Sequence, residues 1–383
     1  MTVSPPNVVL VKGNYVRAGG PETVLGSLVR GLDRTRFRPT LVVLRKSGGP
    51  EAAAFTADPG VRRDVAWGGL LGAPLAARRL LGLTGQGGIA LLHTHDMRSN
   101  LAAYLATRVR RMPWIAHMHG WLGATHRGRW RLYEQIDRWV IRFAARVLVG
   151  STAAMQELQS LGIERIGVVP YAVEIPPVGT GADEARRIRR ELGVGPDSVV
   201  IGVVGRLHRG KAVDLILHGV ARLRDRGRDV RGLIVGEGPD AEALHALARD
   251  LGLQDVVTFT GFRDDATPLM AAMDIFVSAS LRETGPLTVL EAMALGRAVI
   301  SSRVGLVPEA ISDGTNGLIV PPGDLLALVT AMETLVADPA LRQTFGERGR
   351  AVVVERFSAT ALVRAVETHY DSLLRVQGHA SRP

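Results

Sequence analysis

Cysteine is absent from the 383-residue chain. That excludes a disulfide framework, a thiolate metal site and a cysteine nucleophile, while leaving the redox compartment open. Lysine is nearly absent: Lys12, Lys46 and Lys211 stand against 44 arginines. Each retained lysine therefore merits a reason. No run of 18 apolar residues occurs, so no bilayer-spanning helix is predicted. The opening MTVSPPNVVLVKGN has no basic n-region, long apolar h-region or small-residue cleavage site. It predicts no secretory signal, and the expected compartment is the cytosol.

What is present describes a globular chain. Hydrophobic residues make up 46% and charged residues 22%, at a net charge of +10. The length fits two domains. The charge is uneven: residues 1–177 hold 23 basic against 11 acidic groups, and residues 178–383 hold 24 against 26. A basic first half facing a near-neutral second half points to an anionic partner for the first. Candidates are an anionic membrane surface, an acidic acceptor or nucleic acid.

Apolar, β-branched runs alternate with helical patterns. NVVLV from Asn7, TLVVL from Thr40, IALLH from Ile89, WIAH from Trp114, RVLV from Arg146 and IGVV from Ile166 read as buried strands. The pattern restarts with VVIGVV from Val199, GLIV from Gly232, VVTF from Val256, DIFVS from Asp274 and AVIS from Ala298. Continuous apolar strands between amphipathic helices predict parallel sheets covered on both faces. The Pro- and Gly-rich segment 169–180 is the linker candidate. The expectation is an α/β protein of two doubly wound domains with a cleft between them.

Several motifs could carry chemistry. In VVGRLHRGK, Arg206 and Lys211 flank a short strand-to-helix loop, where ligands of doubly wound folds sit. Two cations beside a helix N-terminus suit a diphosphate. An ordinary turn with surface cations would read the same way, and Ala212 stands where a P-loop needs Ser or Thr. In RETGPLTVLEAMALG, Pro286 suits a first helical turn, placing Glu283 in the preceding loop and Glu291 inside the helix. The N–H groups near Leu287 and Thr288 would be free donors for phosphate. One carboxylate would then meet sugar hydroxyls and the other a ribose. An acidic residue favoured by the helix dipole is the plainer alternative. Gly19 and Gly20 precede a helix and allow close backbone approach to a ligand, or simply a flexible turn.

Histidines come in pairs, His93 with His95 and His117 with His119, each pair at a strand end. Residues two apart share a strand face, so the imidazoles can converge. Contact of His119 with a sugar or phosphate is favoured over a metal site, with His95 as a weaker candidate. Hydrogen-bonded strand-end histidines are the bland option. Gly-containing strand ends at Gly236 and Thr260 suit a loop on a nucleotide base and ribose, or turns alone. Finally, residues 125–147 interleave Trp130, Tyr133, Trp139 and Phe143 with arginines. That reads as a plain helix with a buried aromatic face, ahead of an interfacial helix. Nucleic-acid binding is not expected, because helical spacing suits a core face better than a stacking platform.

Taken together, these motifs resemble the retaining glycosyltransferases of family 4. The Gly-Gly loop, His119-Gly120, the span from Arg206 to Lys211 and the pair Glu283 and Glu291 occur in that family's order. GEGP at Gly236, TGF at Thr260, LEAMALGRAVI and GLIVPPGD agree as well. The resemblance implies a GT-B fold: two Rossmann-like domains facing a cleft, over residues 1–175 and 176–357, with a last helix in 358–383 crossing back to the first. It implies an acceptor-binding first domain and a nucleotide-sugar-binding second. Arg206 and Lys211 would hold the diphosphate, Glu283 the donor sugar and Glu291 the ribose. Gly236, Phe262, Gly285, Leu287 and Thr288 would complete the donor site, with Gly20 near the phosphate and His119 beside the sugar. Gly19 and His95 fall on the acceptor side. The chain departs from the family's usual E-G-F-G-L at 283–287 and P-N-G-V-D at 170–174.

The implied reaction moves a sugar from a UDP- or GDP-sugar-like donor to an acceptor hydroxyl with retention, in polysaccharide, glycolipid or glycoconjugate synthesis. Asp-x-Asp, which holds a metal in many glycosyltransferases, is absent. No cofactor and no metal are expected; the cations would neutralise the leaving diphosphate. The acceptor would be a glycan or a lipid-linked molecule, and a peripheral contact with the inner membrane face would fit the basic first half. A nucleotide-sugar epimerase on the same fold and a metal-dependent hydrolase using the histidines are the rival readings.

Overall fold

In the computed structural model, the described residues are 5–13, 20–45, 62–66, 72–82, 89–119, 129–195 and 197–380. The chain divides into two compact units, Met1–Ala172 with Ala359–Pro383, and Val173–Ser358. The division falls within the Pro- and Gly-rich segment 169–180.

In the first unit the apolar runs become β1 (Asn7–Lys12), β2 (Arg38–Arg45), β3 (Arg62–Ala66), β4 (Leu91–Thr94), β5 (Trp114–Met118), β6 (Arg146–Val149) and β7 (Ile166–Val168). They form one sheet, ordered β3-β2-β1-β4-β5-β6-β7, and every pairing is parallel. Such a sheet needs helices on both faces. These are α1 (Gly20–Gly31), α2 (Ala73–Gly82), α3 (Met97–Val109), α4 (Arg129–Val140) and α5 (Thr152–Ser160). One apolar layer packs Val9, Val11, Leu92 and Trp114 with Ala102 and Ala103 of α3.

The second unit repeats the plan. It contains α6 (Ala182–Glu191), β8 (Val199–Val204), α7 (Val213–Asp225), β9 (Val230–Val235), α8 (Ala241–Asp250), β10 (Val257–Phe259), α9 (Ala266–Ala272) and β11 (Ile275–Ser278). After these come α10 (Leu287–Ala294), β12 (Ala298–Ser302), α11 (Val307–Ala310), β13 (Leu318–Val320), α12 (Leu325–Ala337) and α13 (Pro339–Arg356). Its all-parallel sheet runs β10-β9-β8-β11-β12-β13.

The last helix, α14 (Ala359–Ala380), belongs to the first unit and packs on the face opposite α3. Leu362, Val366 and Tyr370 join Val8, Leu10, Leu28 and Ile115 there. The buried Glu367 carboxylate accepts from the Asp33 N–H at 2.9 Å and the Arg36 guanidinium at 2.7 Å. Asp371 takes the other arm of Arg36 at 2.6 Å.

Two strands went unread in the sequence. RRDVA of β3 carries three charges in five residues and has no apolar run to mark it. The three-residue β13 is an edge strand too short for a period to show. The aromatic stretch also needs correction. Trp139 and Phe143 are 52% and 45% exposed rather than buried. They pack on Tyr104 of α3 at ring-centroid distances of 5.3 and 5.1 Å, with the Arg108 guanidinium over Tyr104 and Phe143. The core face of α4 is supplied instead by Glu134, Asp137 and Val140. Asp137 is satisfied there by the Asn100 amide at 2.8 Å.

Candidate active site

In the second unit, the chemistry collects beyond the C-terminal ends of β8, β9 and β11. After β8 the chain passes Gly205 and Arg206 and makes a single 3-10 turn, Arg209–Lys211. Ala212 then takes a left-handed conformation, φ 48°, before α7 begins. That is an uncommon backbone for a residue with a Cβ. It ends the turn and leaves Lys211 facing the loop after β11. There the Lys211 ammonium pairs with the Glu283 carboxylate, which also accepts from Ser280 Oγ at 3.1 Å. The backbone joins the same two loops: Leu281 N–H donates to the Gly210 carbonyl at 2.8 Å. Gly305, at φ 52°, backs this loop; a Cβ there would lie 2.7 Å from the Glu283 carbonyl oxygen. Arg206 is exposed and has no ion-pair partner among the described residues.

Gly285 lies in the loop before α10, and Leu287 and Thr288 open that helix. Pro286 is its N-cap rather than a residue of its first turn, and no side chain caps the end. Those first N–H groups are donors at the positive end of the helix. Glu291 sits one turn further in, half-buried, and burial pushes its carboxyl above the ordinary value.

A cavity of about 540 Å³ opens beside this region, lined by Leu207, Gly236, Glu237, Gly238, His245 and Phe259 among others. The His245 and Phe259 rings lie 4.0 Å apart between centroids. Gly236 has φ 135°, and a Cβ on it would meet the Gly205 carbonyl oxygen at 1.9 Å. The glycine thus lets the two strand-end loops touch. Gly261 lines the cavity, whereas Phe262 is not among its lining residues and is 64% exposed.

In the first unit, a polar cluster lies at the ends of β1, β4 and β5. Lys12 is buried and lies 3.4 Å from Glu22 and 3.7 Å from Asp96. Asp96 caps α3 through the Ser99 N–H and accepts from the Gly13 N–H at 2.5 Å. His95 Nδ1 and His119 Nε2 are 3.2 Å apart. Burial holds both imidazoles well below the ordinary histidine range, reinforced for each by neighbouring histidines and Lys12. Neutral rings can exchange hydrogen bonds with hydroxyls but bring no charge to a phosphate. Gly20 is the first residue of α1. Gly19 and Gly120 lie outside the described residues.

Sequence reasoning missed Ser280 and His245, which belong to no motif, and passed over Leu207 inside VVGRLHRGK. Lys12 carried a signal, its rarity, without a partner to interpret it.

Two parallel, helix-covered Rossmann-like units define the GT-B class. Anabaena Alr3699/HepE in complex with UDP has the same fold, at a TM-score of 0.78 and 21% identity over 96% of this chain and all of that one. The family description Glycosyl transferases group 1 matches residues 198–338, and Glycosyl transferase 4-like domain matches residues 19–172. The alpha-D-kanosaminyltransferase of Streptomyces kanamyceticus is 30% identical over 290 residues, 71% of this chain and 74% of that protein. The lipopolysaccharide core biosynthesis glycosyltransferase LpsE of Rhizobium meliloti is 34% identical over 205 residues, 53% of this chain and 59% of that protein. The chain belongs to the group 1 glycosyl transferases and is a transferase enzyme.

Proposed function

We propose that this glycosyltransferase moves a sugar from a nucleoside-diphosphate sugar to an acceptor hydroxyl in glycoconjugate synthesis, with retention and without a catalytic metal. The observation that carries the reading is the Lys211–Glu283 pair, tethered by the Gly210–Leu281 backbone bond, with the exposed Arg206 in the same loop after β8. A cation poised for phosphate and a carboxylate poised for hydroxyls meet in one place. The Leu287 and Thr288 N–H groups add donors for the diphosphate, and Glu291 would take the ribose. The cavity beside Gly236, lined by the His245 and Phe259 rings, suits a flat base. Alr3699/HepE, of the same fold, has been crystallised with UDP and with UDP-glucose.

The chemistry follows from charge. As the bond between the anomeric carbon and the phosphate oxygen breaks, positive charge grows on the sugar and negative charge on the leaving diphosphate. Arg206, Lys211 and the helix N–H groups would supply the donors for the second charge. The departing phosphate oxygen takes the acceptor's proton as the new glycosidic bond forms on the same face, so no protein nucleophile is assigned. His119 would contact the sugar and His95 the acceptor side, each as a neutral hydrogen-bonding group. The family and its named relatives favour transfer over the epimerase and hydrolase readings.

The reading extends to an anionic surface that brings a glycan or lipid-linked acceptor at the cytoplasmic membrane face. The exposed Trp139, Phe143, Leu132 and Val109 lie on α3, α4 and the turn that follows, among Arg108, Arg131 and Arg142. Aromatic and aliphatic groups beside arginines suit a lipid interface. No helix among the described residues is long and apolar enough to cross a membrane.

A thermal-shift panel of UDP-, GDP- and ADP-sugars tests the donor, since a ligand of the native state raises its apparent stability. Turnover of the stabilising donor in excess chelator, followed by NMR of the product anomer, tests the rest. If no activated sugar stabilises the protein, or if transfer requires added Mg2+, the reading fails. Salt-insensitive absence from anionic vesicles in sedimentation would remove the membrane part alone.

A further inference from the structure

The first unit carries a second feature, which shares His95 with the acceptor side and otherwise consists of groups that transfer does not use. His93 and His95 project from the end of β4 and His117 from β5, the neighbouring strand, on the face covered by α14. Alternation along each strand and parallel pairing between them bring the three rings together. All three are buried, at 0%, 2% and 3% exposure. His93 Nε2, His95 Nε2 and His117 Nδ1 have no hydrogen-bond partner among the described residues. One ring nitrogen from each lies within 4.8 Å of the other two.

Buried polar atoms in native proteins almost always have a partner, and three orphans in one place call for a common one. A water would satisfy them only in part. We propose that His93, His95 and His117 form a structural site for a divalent transition-metal ion of the zinc class. Three imidazoles without thiolate or carboxylate select Zn2+-like ions over Mg2+ or Ca2+. Zinc–nitrogen bonds of about 2.0–2.1 Å in tetrahedral geometry place ligand nitrogens ~3.3 Å apart, within reach of small ring rotations here. Three protein ligands leave the fourth position to water.

The surroundings fit. The outer nitrogens are already oriented: His93 Nδ1 lies 2.6 Å from Tyr370 Oη and His95 Nδ1 lies 3.2 Å from His119 Nε2. An ion on each Nε2 would fix the proton on Nδ1, donating outward, as metal-bound histidines do. The nearby Lys12 charge is met by Glu22 and Asp96, and His369 adds only a further imidazole. Because the site is closed, the ion enters as the unit folds.

The test uses untagged full-length protein made in metal-depleted, zinc-supplemented and cobalt-supplemented media, with ion content measured after gel filtration. One Zn2+ per chain and a four-coordinate Co2+ visible spectrum are expected, with a higher melting temperature in the zinc form. His117→Gln should lose the ion and the spectrum, while His218→Gln, in the second unit, should keep both. Tyr370→Phe, a milder change, should weaken affinity by about 10–100-fold through the His93 ring. Wild-type protein without a stoichiometric ion from either supplemented medium overturns the proposal. So does equal retention by His117→Gln and wild type. Both readouts are independent of sugar transfer.

Discussion

The Lys211–Glu283 pair can be dissected with Lys211→Met, Glu283→Gln and the double variant. Both side chains are more than four-fifths sheltered, at 18% and 19% exposure, so water screens their charges little. Lys211→Met removes one cation from the leaving diphosphate. Loss of one such donor costs about 3–4 kcal/mol of transition-state stabilisation, which at ~1.36 kcal/mol per decade is roughly 10²–10³-fold in kcat. Glu283→Gln removes the negative charge, turns one of the two acceptor oxygens into an amide donor and loosens the Lys211 ammonium. It should lower kcat comparably while tightening ground-state binding, so that the donor KM falls. Independent groups would give a double variant near 10⁵-fold down, by adding the two barriers. A pair that acts as one unit should instead leave it within about tenfold of the weaker single variant. Initial rates of nucleoside-diphosphate release, with the donor found by thermal shift, give kcat and KM for all four proteins. Circular dichroism checks that each is folded. A Lys211→Met kcat within about fivefold of wild type, or a strictly multiplicative double variant, would refute the argument.

Three further outcomes are expected. Gly236→Ala should destabilise by more than about 3 kcal/mol or fail to fold, because its Cβ would strike the Gly205 carbonyl at φ 135°; an unchanged urea midpoint would contradict this. Glu291→Gln should trade activity for stability. The raised carboxyl binds its proton more tightly folded than unfolded, so wild-type stability falls as pH rises from near 4.5 through the folded value. The melting-temperature advantage of the variant should therefore open across that window, persist above it and vanish below, while the donor KM rises. Glu367→Ala, which strips the Asp33 N–H and Arg36 of their acceptor, should cost about 1–3 kcal/mol in urea denaturation after allowing for the half-exposed guanidinium. Asp371→Ala, on the solvent side of Arg36, should cost under about 1 kcal/mol.

The parallel sheets were legible because fully buried strands need unbroken apolar runs, as in NVVLVK and VVIGVV. Edge strands escape that demand, which is why RRDVA and LIV passed unread. Local chemistry was also legible: Glu283 stands in a loop and Glu291 in the following helix, as the Pro286 position predicts. Partnership was not. Lys211 and Glu283 are 72 residues apart, and only the order of strands β8 and β11 in the sheet makes them neighbours. The same holds for Tyr370 and His93, 277 residues apart. For Trp139 and Phe143, helical spacing identified a face correctly but could not say whether protein or solvent lay against it. Here the opposite face, carrying Glu134 and Asp137, turns inward because Asn100 waits there to receive a carboxylate.

The return of α14 has a consequence for synthesis on the ribosome. The chain leaves the first unit at Ala172 and re-enters at Ala359, side by side: Val173 N–H donates to the Phe357 carbonyl at 3.0 Å. The 186 residues between are thus a folding unit inserted into another. Until α14 emerges, α1 covers only part of that face, and the ground that Leu362, Val366 and Tyr370 come to fill stays bare. At about 5–20 residues per second, translation keeps this apolar surface uncapped for roughly 10–40 s after its strands are made. The later-starting domain can close first, and the nascent N-terminal half is the part that needs a chaperone's protection.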